Sequence, residues 1–223
     1  MLFGNETDPY DTFNFQFSLH EKFQLKPIYF FLLGDDGKFD KNISWRNDEL
    51  QKLIKKISEK IEIGIHSSFA SNDQSEKVRT EIDRLSRITG KKIIRNRQHF
   101  LKLQFPSTYQ TLYANGISED YTMGYSSQIG FRAGIASPYR YYDLEKEEAT
   151  GLVIYPFAVM DASLHYYLKL TPVEALEKCR QIVDEVKKVN GYLILLAHND
   201  LISDEGPWIG WREKFEELIK YAI

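Results

Sequence analysis

Apolar runs with the length and residue types of β-strands recur along the chain, and each leads to an ionisable side chain. Stretches with helical spacing of apolar positions separate most of these runs, an alternation typical of a parallel sheet covered by helices. The side chains that follow the runs are His66, His99, Asp120, Arg132, Asp161 and His198. Because parallel strands end on one rim, where barrel enzymes place their chemistry, we expect these side chains to converge on one cleft.

The remaining pattern fits an α/β chain that folds as one domain. A further buried strand is predicted at residues 27–33. Helical patterns are recognisable at residues 10–23, 47–60, 71–90, from residue 106, at 171–190 and near the C-terminus. The count is about seven strands, one fewer than in a complete (β/α) barrel. We therefore predict a distorted or incomplete (β/α) barrel of parallel strands with outer helices, a single domain over residues 1–223.

The region 116–165 differs from the rest because it contains three predicted strands with little helix between them. The stretches 125–128 and 140–150 are therefore predicted to be long loops on the rim of the barrel. Long rim loops usually shape substrate sites.

Composition narrows the classes of function. The chain has 223 residues, of which 43% are hydrophobic and 27% charged, as is ordinary for a globular chain with a sizeable core. A net charge of -3 gives no broad cationic surface and argues against a nucleic-acid partner. No membrane span or leader is recognisable in the sequence, so the cytoplasm is the expected compartment. Cys179 is the single cysteine, which excludes a disulfide framework, and its thiol is expected to be inert inside a helix.

Three of the strand-end side chains are imidazoles, which suit metal binding or proton transfer. His66 and His99 are candidate metal ligands, and alternation along the strand would point Arg97 the same way as His99. His198 closes a very apolar run and suits proton donation to a leaving group. For each of them, a polar side chain satisfied locally at a strand end is the alternative interpretation.

Charged side chains also follow predicted strands. Arg132 has apolar and glycine neighbours, which predicts a buried guanidinium that needs a carboxylate or anion partner. Asp161 ends an apolar strand and is the expected partner, either for structure alone or to orient a catalytic histidine. Asp120 lies in a polar stretch, where a solvated loop acid and a functional acid both remain open.

Several familiar catalytic patterns are not recognisable in the sequence, namely a phosphate-binding glycine loop, a nucleophile elbow and a dominant pair of acids. Three rim histidines with carboxylates available fit metal-assisted hydrolysis better. In that reaction a bound metal lowers the pKa of water and polarises a carbonyl, while a histidine protonates the leaving amine.

Several segments, in their order along the chain, resemble those of the polysaccharide deacetylase (NodB-homology) family. The resemblance is closest to a divergent bacterial branch of deacetylase-like proteins. Residues 64–70 are similar to the His-(Ser/Thr)-x-x-His metal motif, and residues 196–198 match the Leu-x-His of the catalytic acid. Further similar segments are residues 97–101, residues 120–124, Arg132 with residues 138–139, and Asp161. The family has a distorted (β/α) barrel and removes N- or O-acetyl groups from sugars.

The resemblance implies a role for each candidate residue. His198 would be the general acid, oriented by Asp161, with Arg132 in the catalytic set. His66, with His99 from the next strand, would help to bind a divalent Zn, Co or Ni ion. Contacts with a carbohydrate or polysaccharide substrate are implied for Tyr139, Arg97 and Asp120.

Two departures from the family pattern affect these roles. Ala70 stands where the family has its second metal histidine, and no Asp-Asp strand end precedes residue 9. We expect that strand, with its water-activating Asp, to be missing from this polypeptide, which is either a fragment or a naturally shortened relative that has lost its base. Two other hypotheses stay open: a catalytically inactive carbohydrate-binding barrel that has lost its metal, and an unrelated barrel hydrolase acting through Asp120 and Asp161.

Overall fold

The computed structural model describes residues 8–223, which contain six α-helices and eight strands. The helices are α1 (Phe13–Phe23), α2 (Asp48–Ser58), α3 (Ser75–Thr89), α4 (Ser107–Ala114), α5 (Pro172–Lys188) and α6 (Trp211–Ala222). The strands are β1 (Ile28–Phe31), β2 (Glu62–Ser67), β3 (Arg95–Gln98), β4 (Glu119–Asp120), β5 (Tyr139–Asp143), β6 (Glu148–Ile154), β7 (Val159–Met160) and β8 (Leu195–Leu196). The expected upstream strand lies outside the described residues.

The chain divides into two compact units, each assembled from separate stretches of sequence. The sheet unit comprises Pro27–Met123 and Ser137–Pro156. The α5–α6 unit comprises residues 8–26, Gly124–Ala136 and Phe157–Ile223. The single barrel domain over residues 1–223 stays a prediction.

The sheet unit contains a six-stranded sheet in the order β1-β2-β3-β4-β6-β5. Its first five strands pair in parallel, and β5 pairs antiparallel with β6. The sheet formed by the described strands is open, with β1 and β5 at its edges. The predicted α/β class, with parallel strands and outer helices in the manner of an incomplete (β/α) barrel, is confirmed.

The strand β2 shows why the sheet forms from this sequence. Its residues Ile63 and Ile65 are buried, as expected for a central parallel strand covered on both faces. Gly64 between them faces Phe30 on β1, and a Cβ at this position would lie 2.5 Å from the phenylalanine ring. Glycine at this position therefore makes room for the Phe30 ring against β2.

The α5–α6 unit is built around a helix pair and a short parallel strand pair. Val159 pairs with Leu195 and Met160 with Leu196, so β7 and β8 end side by side. Cys179 on α5 is 2% exposed in the apolar core of this unit, and burial raises the pKa of its thiol to about 12. The expectation of an inert core thiol is confirmed.

Helix ends predicted from the sequence have the expected capping contacts. The Asn47 side chain accepts a hydrogen bond from the Leu50 N–H at the start of α2. Thr171 and Glu174 form a reciprocal capping box before α5, with Pro172 in the first turn. Gly90 ends α3 with φ 69°, a left-handed conformation that glycine adopts without penalty. In the described part of the chain, no helix is both long and apolar enough to cross a membrane.

Two local predictions are wrong. Residues 140–150 were expected to form a rim loop, but most of them belong to the β5–β6 hairpin. Residues 129–131 were expected to form a strand, but they lie in a stretch of turns and bends in which Gly130 and Gly134 have positive φ. The loop predicted at residues 125–128 is free of helix and strand, as expected.

Candidate functional site

The sheet unit brings His66 and His99 together. His66 lies in β2 opposite Arg97 of β3, and His99 follows β3 directly in a short helical turn, His99–Leu101. The two imidazole centroids are 5.1 Å apart, with an angle of 69° between the ring planes. Both side chains are partly exposed. The parallel register of β2 and β3 thus makes neighbours of two residues that are 33 positions apart in the sequence.

Hydrogen bonds fix the tautomers of both rings. His66 Nδ1 lies 2.8 Å from the carbonyl oxygen of Arg97, which only accepts hydrogen bonds. His99 Nδ1 lies 2.8 Å from the carboxylate of Asp40. Each Nδ1 therefore carries the proton, and in the neutral ring Nε2 carries the lone pair that a metal would bind.

Asp40, which the sequence analysis did not identify as a site residue, fixes the position of His99 through a hydrogen bond. Its carboxylate is 2% exposed and also accepts hydrogen bonds from the backbone N–H groups of Phe69 at 2.7 Å and Ala70 at 3.1 Å. Burial alone would raise the pKa of Asp40, but the hydrogen bonds from His99, Phe69 and Ala70 outweigh burial, so the pKa lies below its ordinary value. The carboxylate thus stays charged beside His99.

The histidine pair fits part of a metal site. Two imidazoles on one tetrahedral zinc ion, with Zn–N distances of about 2.0–2.1 Å, have ring centroids roughly 5 Å apart. The observed spacing is 5.1 Å, and both rings have the outer hydrogen bonds that metal-binding histidines usually make. Within residues 8–223, however, no group of three or more candidate ligand side chains is assembled. Ala70 contributes only its backbone to this region, through the bond to Asp40.

Asp120 belongs to a buried polar network. Its side chain is 0% exposed and accepts hydrogen bonds from the Asn96 amide at 2.8 Å, the Thr122 hydroxyl at 2.8 Å and the Thr122 N–H at 2.9 Å. Burial raises the pKa of Asp120 to about 6, against the opposing effect of these hydrogen bonds. The structure therefore does not favour the predicted substrate contact, because Asp120 is fully enclosed.

Arg97 and Glu81 are two further charged residues of the sheet unit. The Arg97 guanidinium lies over the Phe30 ring, 4.3 Å from its centroid, and is partly buried. Glu81 of α3 is 2% exposed and accepts hydrogen bonds from the Ser68 N–H at 2.9 Å and the Ser68 hydroxyl at 2.6 Å. The sequence carried a signal for Glu81, since it shares the buried face of α3 with Val78, Ile82 and Leu85.

The α5–α6 unit pairs Asp161 with His198. Asp161 follows β7, and His198 follows β8, whose parallel pairing with β7 brings the two residues together. The Asp161 carboxylate lies 2.7 Å from His198 Nδ1 and accepts a second bond, at 2.6 Å, from the His198 backbone N–H. Asp161 is 3% exposed, whereas the His198 side chain is 49% exposed. The carboxylate fixes the histidine through both its ring and its backbone.

Arg132 does not have the predicted environment. It is exposed, and its guanidinium donates one long hydrogen bond, 3.4 Å, to the carbonyl of Gly124. Among the described residues no ion pair joins Arg132 to Asp161, whose carboxylate binds His198 and the N–H of Ala162. The prediction of a buried Arg132 paired with Asp161 is wrong, because its flanking glycines form turns rather than a strand end.

The predicted site residues are divided between the two units. Tyr139 begins β5 in the sheet unit, together with His66, His99, Arg97 and Asp120. Arg132, Asp161 and His198 belong to the α5–α6 unit. Convergence of the strand ends of both units on one cleft stays a prediction.

One comparison with a solved structure supports the fold. No family model matches the chain, and no curated protein matches it. A solved structure of a provisionally assigned polysaccharide deacetylase from Mycobacterium smegmatis superposes with a TM-score of 0.69 at 16% sequence identity, covering 95% of this chain and 70% of that chain. A second structure, provisionally assigned as a polysaccharide deacetylase involved in O-antigen biosynthesis in Bordetella bronchiseptica, gives a TM-score of 0.46 at 16% identity, covering 95% of this chain and 78% of that one. The first comparison confirms the resemblance seen in the sequence at the level of the fold.

Proposed function

We propose that this protein is a carbohydrate deacetylase-type hydrolase, which removes acetyl groups held as amides or esters on a sugar or polysaccharide with the help of a divalent metal. The observation that carries the proposal is the Asp161–His198 pair at the ends of two paired parallel strands. The shared fold with a structure named as a deacetylase supports the substrate class. The bacterial origin and the cytoplasmic location expected from the sequence stay predictions.

The chemistry of the pair suits a general acid. When the tetrahedral intermediate of deacetylation collapses, the leaving nitrogen or oxygen needs a proton. The imidazolium of His198 supplies it from Nε2, because Nδ1–H is held by Asp161 at 2.7 Å. The buried carboxylate of Asp161 stabilises the charged ring before transfer. Transfer leaves neutral His198, acetate and the free amine or hydroxyl of the sugar.

The paired imidazoles supply the metal part of the proposal. His66 and His99 would hold a Zn, Co or Ni ion through their Nε2 atoms, with the Nδ1–H groups bound to Arg97 and Asp40. When bound, such an ion lowers the pKa of water and polarises the acetyl carbonyl. Within residues 8–223 no third ligand side chain is assembled with the two histidines.

A catalytically inactive carbohydrate-binding barrel is the second candidate function. Ala70 favours it, since this residue replaces a metal histidine of the family pattern and offers no ligand atom on its side chain. Metal analysis of the purified chain discriminates the two: bound Zn, Co or Ni that is lost in His66→Ala favours the hydrolase, and metal-free protein under all loading conditions favours the binding barrel.

Acetate release tests the hydrolase directly. Metal-loaded protein is incubated with acetylated oligosaccharides and polysaccharides, and acetate is measured for the wild type, His198→Ala and Asp161→Asn. We expect His198→Ala to lower kcat by about 10²- to 10⁴-fold, the usual contribution of a general acid. His20→Ala, which removes an imidazole from α1, is the control and should release acetate like the wild type. Undiminished acetate release by His198→Ala would refute the assigned role.

A further inference from the structure

Three phenylalanine rings, from Phe39, Phe69 and Phe100, form a cluster beside the histidine pair in the sheet unit. The ring centroids of Phe39 and Phe69 are 4.5 Å apart, and each lies 5.7 Å from that of Phe100. The Phe100 ring is in turn 4.7 Å from the ring of His99. The rings meet in tilted and edge-to-face orientations, which are favourable for aromatic pairs.

This phenylalanine cluster is open to solvent. Phe100 is 56% exposed and Phe39 is 40% exposed, although a fully apolar side chain gains free energy from burial. Contiguous apolar groups left exposed in this way usually mark a binding surface. Packing in the hydrophobic core therefore does not explain why these phenylalanines lie together.

The backbone beneath the cluster is strained. Phe100 has φ 57° and ψ 17°, and Leu101 has φ 52°, so two consecutive non-glycine residues occupy the left-handed region. Such conformations cost free energy and tend to occur where a side chain must be presented in a set direction. Here the strained turn directs the Phe100 ring beside His99 and the other two rings.

A single buried carboxylate joins the three loops that carry the rings. Asp40 binds the Phe69 N–H, the Ala70 N–H and His99 Nδ1. Phe39 precedes Asp40, Phe69 is one of its partners, and Phe100 follows His99. Each ring thus adjoins one end of a hydrogen bond to Asp40, so the cluster is organised before any ligand arrives, which lowers the entropic cost of binding.

We propose that the phenylalanine cluster is a stacking subsite for a sugar ring of the carbohydrate substrate, next to the acetylated sugar. This inference rests on the proposed function for its substrate class. One face of a pyranose ring presents C–H groups, which pack on the electron-rich face of an aromatic ring. The cluster is continuous with His99, whose ring centroid lies 4.7 Å from that of Phe100.

Two lysines lie over rings of the cluster. Lys102 Nζ lies 4.2 Å from the Phe69 centroid and Lys38 Nζ lies 5.1 Å from that of Phe39. Each ammonium group occupies one face of its ring and is a hydrogen-bond donor for the hydroxyl or carboxylate oxygens of a sugar bound at the cluster. The test therefore varies Phe100, the most exposed of the three rings.

Sugar binding by stacking variants tests the proposal. The whole chain is screened on an array of N- and O-acetylated oligosaccharides, and the Kd of the best ligand is measured by calorimetry. We expect Phe100→Leu, which keeps an apolar side chain but loses the ring, to weaken binding by about two- to tenfold, the contribution typical of an aromatic contact, and Phe100→Trp to keep it. Tyr142→Ala, which removes another exposed ring of the sheet unit, should bind like the wild type.

The outcomes separate this inference from the proposed function. Wild-type affinity in Phe100→Leu, or no binding of any arrayed sugar by the folded wild type, would overturn the stacking subsite. Loss of acetate release in His198→Ala together with wild-type affinity in Phe100→Leu would sustain the hydrolase and overturn the subsite. Ring-dependent sugar binding without acetate release by the metal-loaded wild type would sustain the subsite and overturn the hydrolase.

Discussion

Asp40 is the residue on which most of the sheet-unit site depends, because its carboxylate contacts His99 and the loop after β2 together. Sequence reasoning predicted the two histidines, since each lies at the end of an apolar run. It missed Asp40, which lies in an irregular loop among other acids, Asp35 and Asp36, that are exposed. Only the tertiary packing distinguishes the buried acid from its solvated neighbours.

Removing the charge of Asp40 should weaken metal binding without removing either ligand. Outer-sphere partners of metal-binding histidines typically contribute about 10- to 100-fold to affinity, so we expect Asp40→Asn to raise the Kd for zinc by that factor. Competition with a chromogenic chelator measures the Kd. Asp36→Asn, which changes an acid paired with Lys41 at the surface, is the matched control. Equal zinc affinity in both variants would show that Asp40 does not support the site.

Glu81 should make the stability of the protein depend on pH. Burial raises the pKa of Glu81 from 4.5 to about 7, despite its hydrogen bonds to Ser68. Between these values the folded state holds a proton that the unfolded chain has lost, so the free energy of unfolding falls as the pH rises through this window. The whole shift corresponds to an upper limit of roughly 3 kcal/mol.

The Glu81→Gln variant resembles the protonated form at every pH. Relative to the wild type, it should therefore gain stability as the pH rises from 5 to 8, which urea denaturation at several pH values can measure. Asp83→Asn, on the exposed side of the same helix, should show no such trend. A difference between Glu81→Gln and the wild type that stays constant with pH would contradict the raised pKa of Glu81.

At the scale of the elements, helices were predicted best because their ends carry local signals. The helical pattern from residue 171 opens with Thr171-Pro172-Val173-Glu174, a typical helix start, and the capping box is present. The β5–β6 hairpin was missed because residues 143–148 are mostly charged, and because Thr150 and Gly151 interrupt the apolar pattern of β6. The two strands pair with each other across a short turn, and β6 also pairs with β4, which is distant in the sequence.

The capping box of α5 has a measurable energetic consequence. Thr171→Ala removes the hydroxyl that binds the Glu174 N–H, and loss of such a cap costs about 1 kcal/mol. Chemical denaturation should show this loss of stability. Thr80→Ala is the matched control, because Thr80 is exposed in the interior of α3, where alanine is the better helix former. Equal stability changes in the two variants would show that the cap does not stabilise α5.

At the scale of the whole molecule, the alternation of strands and helices was sufficient to predict the α/β class and the parallel pairing. The pairing of β2 with β3 and of β7 with β8 follows from that topology and accounts for both the His66–His99 and Asp161–His198 neighbours. Arg132 shows where the same reasoning failed, since glycines beside an apolar residue were interpreted as a buried strand end although they form turns. No local sequence pattern predicts the division into two units, because each unit is formed by stretches that are distant in the sequence.

The enclosed thiol of Cys179 gives the molecule a practical advantage for spectroscopy. Maleimide and iodoacetamide reagents react with thiolates, and this sulfur is both shielded and protonated at neutral pH. A cysteine engineered anywhere on the surface would be the one reactive position, with no need to replace the native residue first. A fluorophore attached near Phe100 could then follow the docking of a glycan in real time.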